Sequence, residues 1–227
     1  MEDFKQKKYL LFDMDGTIID PKGGLFDCIK LALSKFGIND INDSSLQKWV
    51  GPPTRDSFIK FYGFSESDAD IAVNLMRNAY ATKGISNNTL YHNIDEVIKL
   101  AKMNGKQVVL ASSKPKVYAL DILKQHSLLE YFTYVGDADF DGKFAEQPDN
   151  IMSHKAMVIL DCMNALSMDV KDALMIGDTI FDIEGANFHK MHSVGVGYGY
   201  GEIKELKRAG ATITVQSVND LQKLLFG

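Results

Sequence analysis

"LLFDMDGTIID", residues 10–20, is an apolar run that stops at two carboxylates one residue apart, Asp13 and Asp15, followed at once by Gly16 and Thr17. Burying a charge is costly unless it is paired or coordinates an ion. The string therefore reads either as a strand running out into a polar turn or as a reaction centre at a strand's end. Side chains at i and i+2 of a strand project to one face, so extended geometry carried through Asp15 would aim both carboxylates at one site. Gly16 lets a ligand approach the backbone closely, and amides after a tight turn can bind an anion. Alone, the string also fits a calcium-loop fragment, but the later ligand positions of such a loop, including its closing Glu, are missing.

Outward from this string, short apolar runs alternate with longer helical patterns. "YLLFD" (9–13), "QVVLAS" (107–112), "ALMIGD" (173–178), "SVGVG" (193–197) and "TITV" (212–215) each read as a buried strand. Residues 93–105, 116–127, 154–167 and 202–210 carry helical periodicity, several with glycine or lysine at the end, where helix C-termini prefer them. The alternation predicts an α/β fold, a parallel sheet covered on both faces.

From about Pro21 to Asn88 the alternation stops, and only helical patterns remain, at 25–37, 54–63 and 66–84. This predicts a core of residues 1–20 and 89–227 with a small all-α cap, 21–88, inserted after the first strand. Ligands in open α/β sheets bind at the strands' carboxyl ends, which is where such an insert begins.

The chain has 227 residues, 45% of them apolar and 24% charged, enough for one large domain or a domain with an insert. Its net charge of -5 argues against nucleic-acid binding, which needs a basic face. Cys28 and Cys162 lie in helical stretches without metal-ligand spacing and read as buried free thiols, as suits a reducing compartment. The start has too short an apolar run for a signal peptide, and no run reaches the roughly 18 residues of a membrane span. A cytoplasmic protein without a membrane partner is expected.

Three further strand ends carry chemistry. "VVLASSKP" ends in the hydroxyls of Ser112 and Ser113, and "LMIGDTIFDIEGA" ends in Asp178, with Asp182 four residues on. Lys155 opens the helix between them. Carboxylates for a hard cation, hydroxyls and amides for an anion and one lysine to offset charge are the equipment of metal-assisted phosphoryl transfer. Competing readings accompany them. "TIFD" fits a capping box of Thr179 and Asp182, and Lys143 in the long 137–155 stretch competes with Lys155. "GVGYGYG" (195–201) misplaces the third glycine of a dinucleotide fingerprint and reads as a glycine-rich loop near the site mouth.

In this order, "FDMDGT", "ASSKP", Lys155 and "GDTIFD" closely resemble the haloacid-dehalogenase-like (HAD) phosphohydrolases. The likeness is to the helical-cap subgroup that includes phosphoglycolate phosphatases and 5'-nucleotidases. The resemblance implies a three-layer Rossmann-like core, an Asp13 nucleophile that forms an aspartyl-phosphate, and Asp15 as general acid and then base. It implies Ser112 and Lys155 as phosphoryl ligands, with Gly16, Thr17 and Ser113 as further contacts. It also implies Mg2+ bound by Asp13, the backbone carbonyl of Asp15, Asp178 and, directly or through water, Asp182. Oxygen-only ligands favour magnesium over zinc.

"GPPTRDSF" (51–58) resembles the subgroup's cap, where Arg55 would meet a substrate's distal anionic group or else be a helix-surface arginine. The expectation is a monomeric, magnesium-dependent phosphomonoester hydrolase acting on a small metabolite, phosphoglycolate- or 5'-nucleotide-like. A sugar-phosphate mutase using the same nucleophile and a non-catalytic phosphoryl-binding module are the alternatives. A dehalogenase fits less well, because Asp15 is present.

Overall fold

A computed structural model describes residues 4–52, 54–137 and 152–227. The chain forms two compact units, Met1–Ile19 with Leu90–Gly227, and Asp20–Thr89. The larger opens with β1 (Tyr9–Phe12), and the chain leaves it through β2 (Ile19–Asp20). The smaller holds α1 (Lys22–Ser34), α2 (Asp43–Leu46), α3 (Thr54–Tyr62) and α4 (Glu66–Ala79), the last running on into a wider turn over Tyr80–Gly84. The chain returns through β3 (Thr89–Leu90), which pairs with β2.

Strand and helix then alternate: α5 (Ile94–Met103), β4 (Gln107–Leu110), α6 (Lys116–Gln125), β5 (Phe132–Val135), α7 (His154–Ala165) and β6 (Ala173–Gly177). The chain closes with α8 (Ile180–Phe188), β7 (His192–Val196), α9 (Ile203–Arg208), β8 (Ile213–Val215) and α10 (Val218–Phe226). Among the described residues no helix is long and apolar enough to cross a membrane.

Six strands form one parallel sheet in the order β5-β4-β1-β6-β7-β8. After β1 the chain builds outward on one side through β4 and β5, then on the other through β6, β7 and β8. The order reverses at β1, so the residues following β1, β4 and β6 come out side by side at the position where open α/β sheets bind ligands. β1 and β6 are buried along their whole length, as parallel strands covered on both faces must be. Leu11, Val109 and Met175 share a cluster with Val158, Ile159 and Ala186 of α7 and α8. Each of the larger of these side chains (Leu, Val, Ile and Met) contributes about 1.5–3 kcal/mol when removed from water.

One strand of the six-stranded sheet was not legible in the sequence, nor were the two-residue strands β2 and β3. At the sheet edge, β5 is buried only at its ends, Phe132 and Val135, with Thr133 and Tyr134 accessible between them, so the criterion that finds continuous apolar runs passes over it.

The smaller unit has its own core. Leu46, Phe58, Ala69 and Ala72 are fully buried, and the Trp49 ring stands edge-on to Phe58 at 4.8 Å. Ser65 caps α4 by accepting from the Asp68 amide.

Candidate active site

The β1 ladder runs one residue past Phe12, with the Asp13 amide donating to the Ile176 carbonyl at 2.9 Å. The backbone then folds on itself. The Met14 carbonyl accepts from the amides of Thr17, Ile18 and Ile19, and the Gly16 amide donates to the Ile19 carbonyl at 2.8 Å. Gly16 takes φ +84° here, and a Cβ on it would lie 2.1 Å from Asp178 Oδ2. Glycine is required twice over, for the left-handed backbone and for the close approach.

The neighbouring strand ends bring Asp13 and Asp178 together, and the first turn of α8 adds Asp182. Each of these three buried carboxylates offers one oxygen within 4.8 Å of the others. Lys155, from the first turn of α7 and only 4% exposed, places Nζ 2.8 Å from Asp13 Oδ1, 2.8 Å from Asp182 Oδ1 and 3.0 Å from the Ala111 carbonyl. Burial opposes its charge, but Asp13 and Asp182 outweigh that and hold its pKa above the ordinary lysine value. Three carboxylates thus face one ammonium. A hard divalent cation suits that excess of charge and the all-oxygen donor set.

Asp182 makes the expected capping box and also faces the other two carboxylates. Its Oδ2 accepts from the Thr179 amide (3.0 Å) and hydroxyl (2.9 Å) in a capping box, while Oδ1 faces Lys155. Asp178 Oδ1 accepts from the Thr17 hydroxyl at 3.3 Å and Oδ2 from the Tyr200 amide at 2.8 Å. A Cβ on Gly199 would stand 2.5 Å from Asp178 Oδ2, and one on Gly201 1.9 Å from the Asp178 carbonyl. The glycine-rich loop is therefore a backbone sleeve around Asp178. Tyr198 fastens it by donating to the Thr17 carbonyl at 3.1 Å. Burial pushes the carboxyls of Asp178 and Asp182 upward. Asp182 and Asp13 add to the rise at Asp178, whereas Lys155 pulls Asp182 back.

Asp15 has different company from Asp13. Its side chain is 21% exposed, Oδ2 lies 2.9 Å from Lys114 Nζ, and Oδ1 is buried without a hydrogen-bond partner among the described residues. Burial raises its pKa, Lys114 opposes the rise, and Asp13 adds to it. Lys114 stood in "ASSKP" but was not singled out in the sequence. The only signal there was its place two residues after Ser112. Ser112 is buried and its hydroxyl accepts from the Lys114 amide at 3.3 Å; Ser113 is half-buried.

Arg55 lies on α3 of the smaller unit, with Nε 2.6 Å from Asp70 Oδ1 and Nη2 3.4 Å from Glu66 Oε2. Lys143 lies outside the described residues, as does Pro53 of the "GPPTRDSF" string.

The family model for haloacid dehalogenase-like hydrolases matches residues 10–196. The chain belongs to this family. A 5'-nucleotidase of Pseudomonas aeruginosa is 31% identical over 198 residues, 87% of this chain and 86% of that protein. Phosphoglycolate phosphatase 1 of the same organism is 23% identical over 221 residues, 94% of this chain and 78% of that protein. A crystal structure described as a predicted phosphatase from Clostridium acetobutylicum is 38% identical, with a TM-score of 0.87 over 96% of this chain and 97% of that one. The HAD resemblance, the parallel-sheet fold with flanking helices and the expected enzyme class, phosphatase, all agree with these findings.

Proposed function

We propose that this HAD phosphatase is a magnesium-dependent phosphomonoester hydrolase acting through an aspartyl-phosphate on Asp13. The observation that carries the reading is Asp13 itself, fixed 2.8 Å from the buried Lys155 at the meeting of three carboxylates. In this reading Asp13 forms a bond to phosphorus as the bond to the ester oxygen breaks. Asp15 gives its proton to that leaving oxygen, and its burial favours the protonated form this step needs. It next takes a proton from the water that cleaves the acyl phosphate, and Asp13 is regenerated.

Ser112 and Lys155 hold the phosphoryl oxygens, assisted by the 16–17 turn and Ser113. Asp13, the Asp15 carbonyl, Asp178 and Asp182 would hold magnesium, whose charge would let a carboxylate approach an anionic phosphate. The smaller unit serves as the cap. The 5'-nucleotidase and phosphoglycolate phosphatase relatives support a small phosphorylated metabolite as substrate. The buried free thiols Cys28 and Cys162 suit the cytoplasm.

Phosphate release from a panel of phosphomonoesters tests the reading, run with magnesium, with EDTA and with Asp13→Asn. Release should vanish in EDTA and fall about 1,000-fold or more in the variant. Release that survives either change refutes it. Transfer of the phosphoryl group between substrate hydroxyls without free phosphate would make the enzyme a mutase instead.

A further inference from the structure

The proposed reaction uses Asp15 twice, and each use needs one of its oxygens not already committed to a hydrogen bond when the substrate or the attacking water binds. The two oxygens are in unlike surroundings. Oδ2 is held 2.9 Å from Lys114 Nζ, whereas Oδ1 is buried without a hydrogen-bond partner among the described residues. A buried acceptor left unpaired is unfavourable, so its persistence needs a reason. The lysine is not a solvated surface group, the usual case in which an ion pair contributes little. Its side chain is only 6% exposed. Its backbone is fixed as well. The Lys114 amide donates to Ser112 Oγ at 3.3 Å, and Pro115 follows with φ −49° at the entry to α6.

We infer that Lys114 is the positioning residue for Asp15, holding Oδ2 so that Oδ1 is the oxygen that exchanges protons with the leaving group and then with water. The inference rests on the acid–base role proposed above for Asp15. No bond to Lys114 forms or breaks; the proton passes from Asp15 Oδ1 to the leaving oxygen, and later from water back to Oδ1. Two lysines thereby sort the two aspartates of the opening string, Lys155 on Asp13 and Lys114 on Asp15.

The test compares full-length Lys114→Met, Lys114→Gln and Lys114→Arg with the unaltered enzyme, on a phosphomonoester that it hydrolyses with magnesium. Lys114→Met should lower kcat about 100-fold, the loss expected when a reacting group is misplaced by about an ångström, and leave KM essentially unchanged. Lys114→Arg should recover part of the loss. In an Asp15→Asn background Lys114→Met should cost little more, because the group it positions is already disabled. A raised KM with kcat retained, or a loss that multiplies in full onto that of Asp15→Asn, overturns the proposal and makes Lys114 a substrate ligand.

Circular dichroism reports whether each variant folds, and Lys114→Gln carries the same expectations should Lys114→Met not fold. Its crystal structure gives a readout independent of turnover. The Asp15 carboxyl should be displaced there, and an unmoved Asp15 overturns the proposal. If the unaltered enzyme releases no phosphate, the proposed function fails, while the crystal structure still decides whether Lys114 holds Asp15.

Discussion

Gly16 shows how little room a single residue has in this site. Its φ of +84° is strained for any side chain, and a methyl group there would collide with Asp178 Oδ2. Strain of that kind costs about 1–3 kcal/mol, and displacement of Asp178 comes on top. Gly16→Ala should therefore lower the unfolding temperature and, separately, weaken the response of that temperature to added magnesium. A Gly16→Ala protein with the magnesium response of the unaltered enzyme would show that the contact with Asp178 is unimportant. The neighbouring aspartates make the same point about identity and surroundings. Asp13 and Asp15 are chemically alike and two positions apart, yet one is held by Lys155 and the other by Lys114.

At the scale of elements, the parallel pairing of β1 with β6 sets their carboxyl ends side by side and so gathers negative charge. The capping box of α8 adds Asp182 to the group. The consequence is a pH dependence whose sign follows from the raised pKa of Asp178. The folded chain holds a proton that the unfolded chain releases above the ordinary value of 3.8. The folded state is therefore favoured at low pH and loses that advantage as pH rises towards the folded-state value. Asp178→Asn removes the charge. In EDTA it should be more stable than the unaltered protein, by a margin that widens from about pH 4 to pH 7. Added magnesium should reverse the order at pH 7, because only the aspartate contributes a charged ligand. Thermal unfolding of the two proteins at both pH values decides it, and a margin that shrinks with rising pH would contradict the assignment.

At the scale of the whole molecule, the chain is built as two units with separate cores. Phe58 is fully buried in the smaller, edge-on to Trp49 at 4.8 Å and stacked on Phe64 at 5.5 Å. Phe58→Ala should cost about 3–5 kcal/mol. The added hydrogen exchange should be confined to residues 20–89, with β1, β4 and β6 keeping their protection. Equal loss of protection in those strands would show that the units unfold as one.

The sequence alone determined the alternation that makes a parallel sheet, the helical insert after the first strand, and the aspartates at the ends of β1 and β6. Each of these is written in a short window: apolar runs of four or five residues, helical periodicity, a carboxylate where an apolar run stops. The capping box of Thr179 and Asp182 was legible for the same reason, since its partners are three residues apart. Four features emerged only in the tertiary structure: the hold of Lys155 on Asp13, that of Lys114 on Asp15, the Tyr200 amide on Asp178, and the edge strand β5. The three contacts join positions about a hundred or more residues apart in two cases and 22 apart in the third. Sequence periodicity reports which face of its own element a residue occupies, and only the packing of strands and helices sets which distant charge stands opposite it.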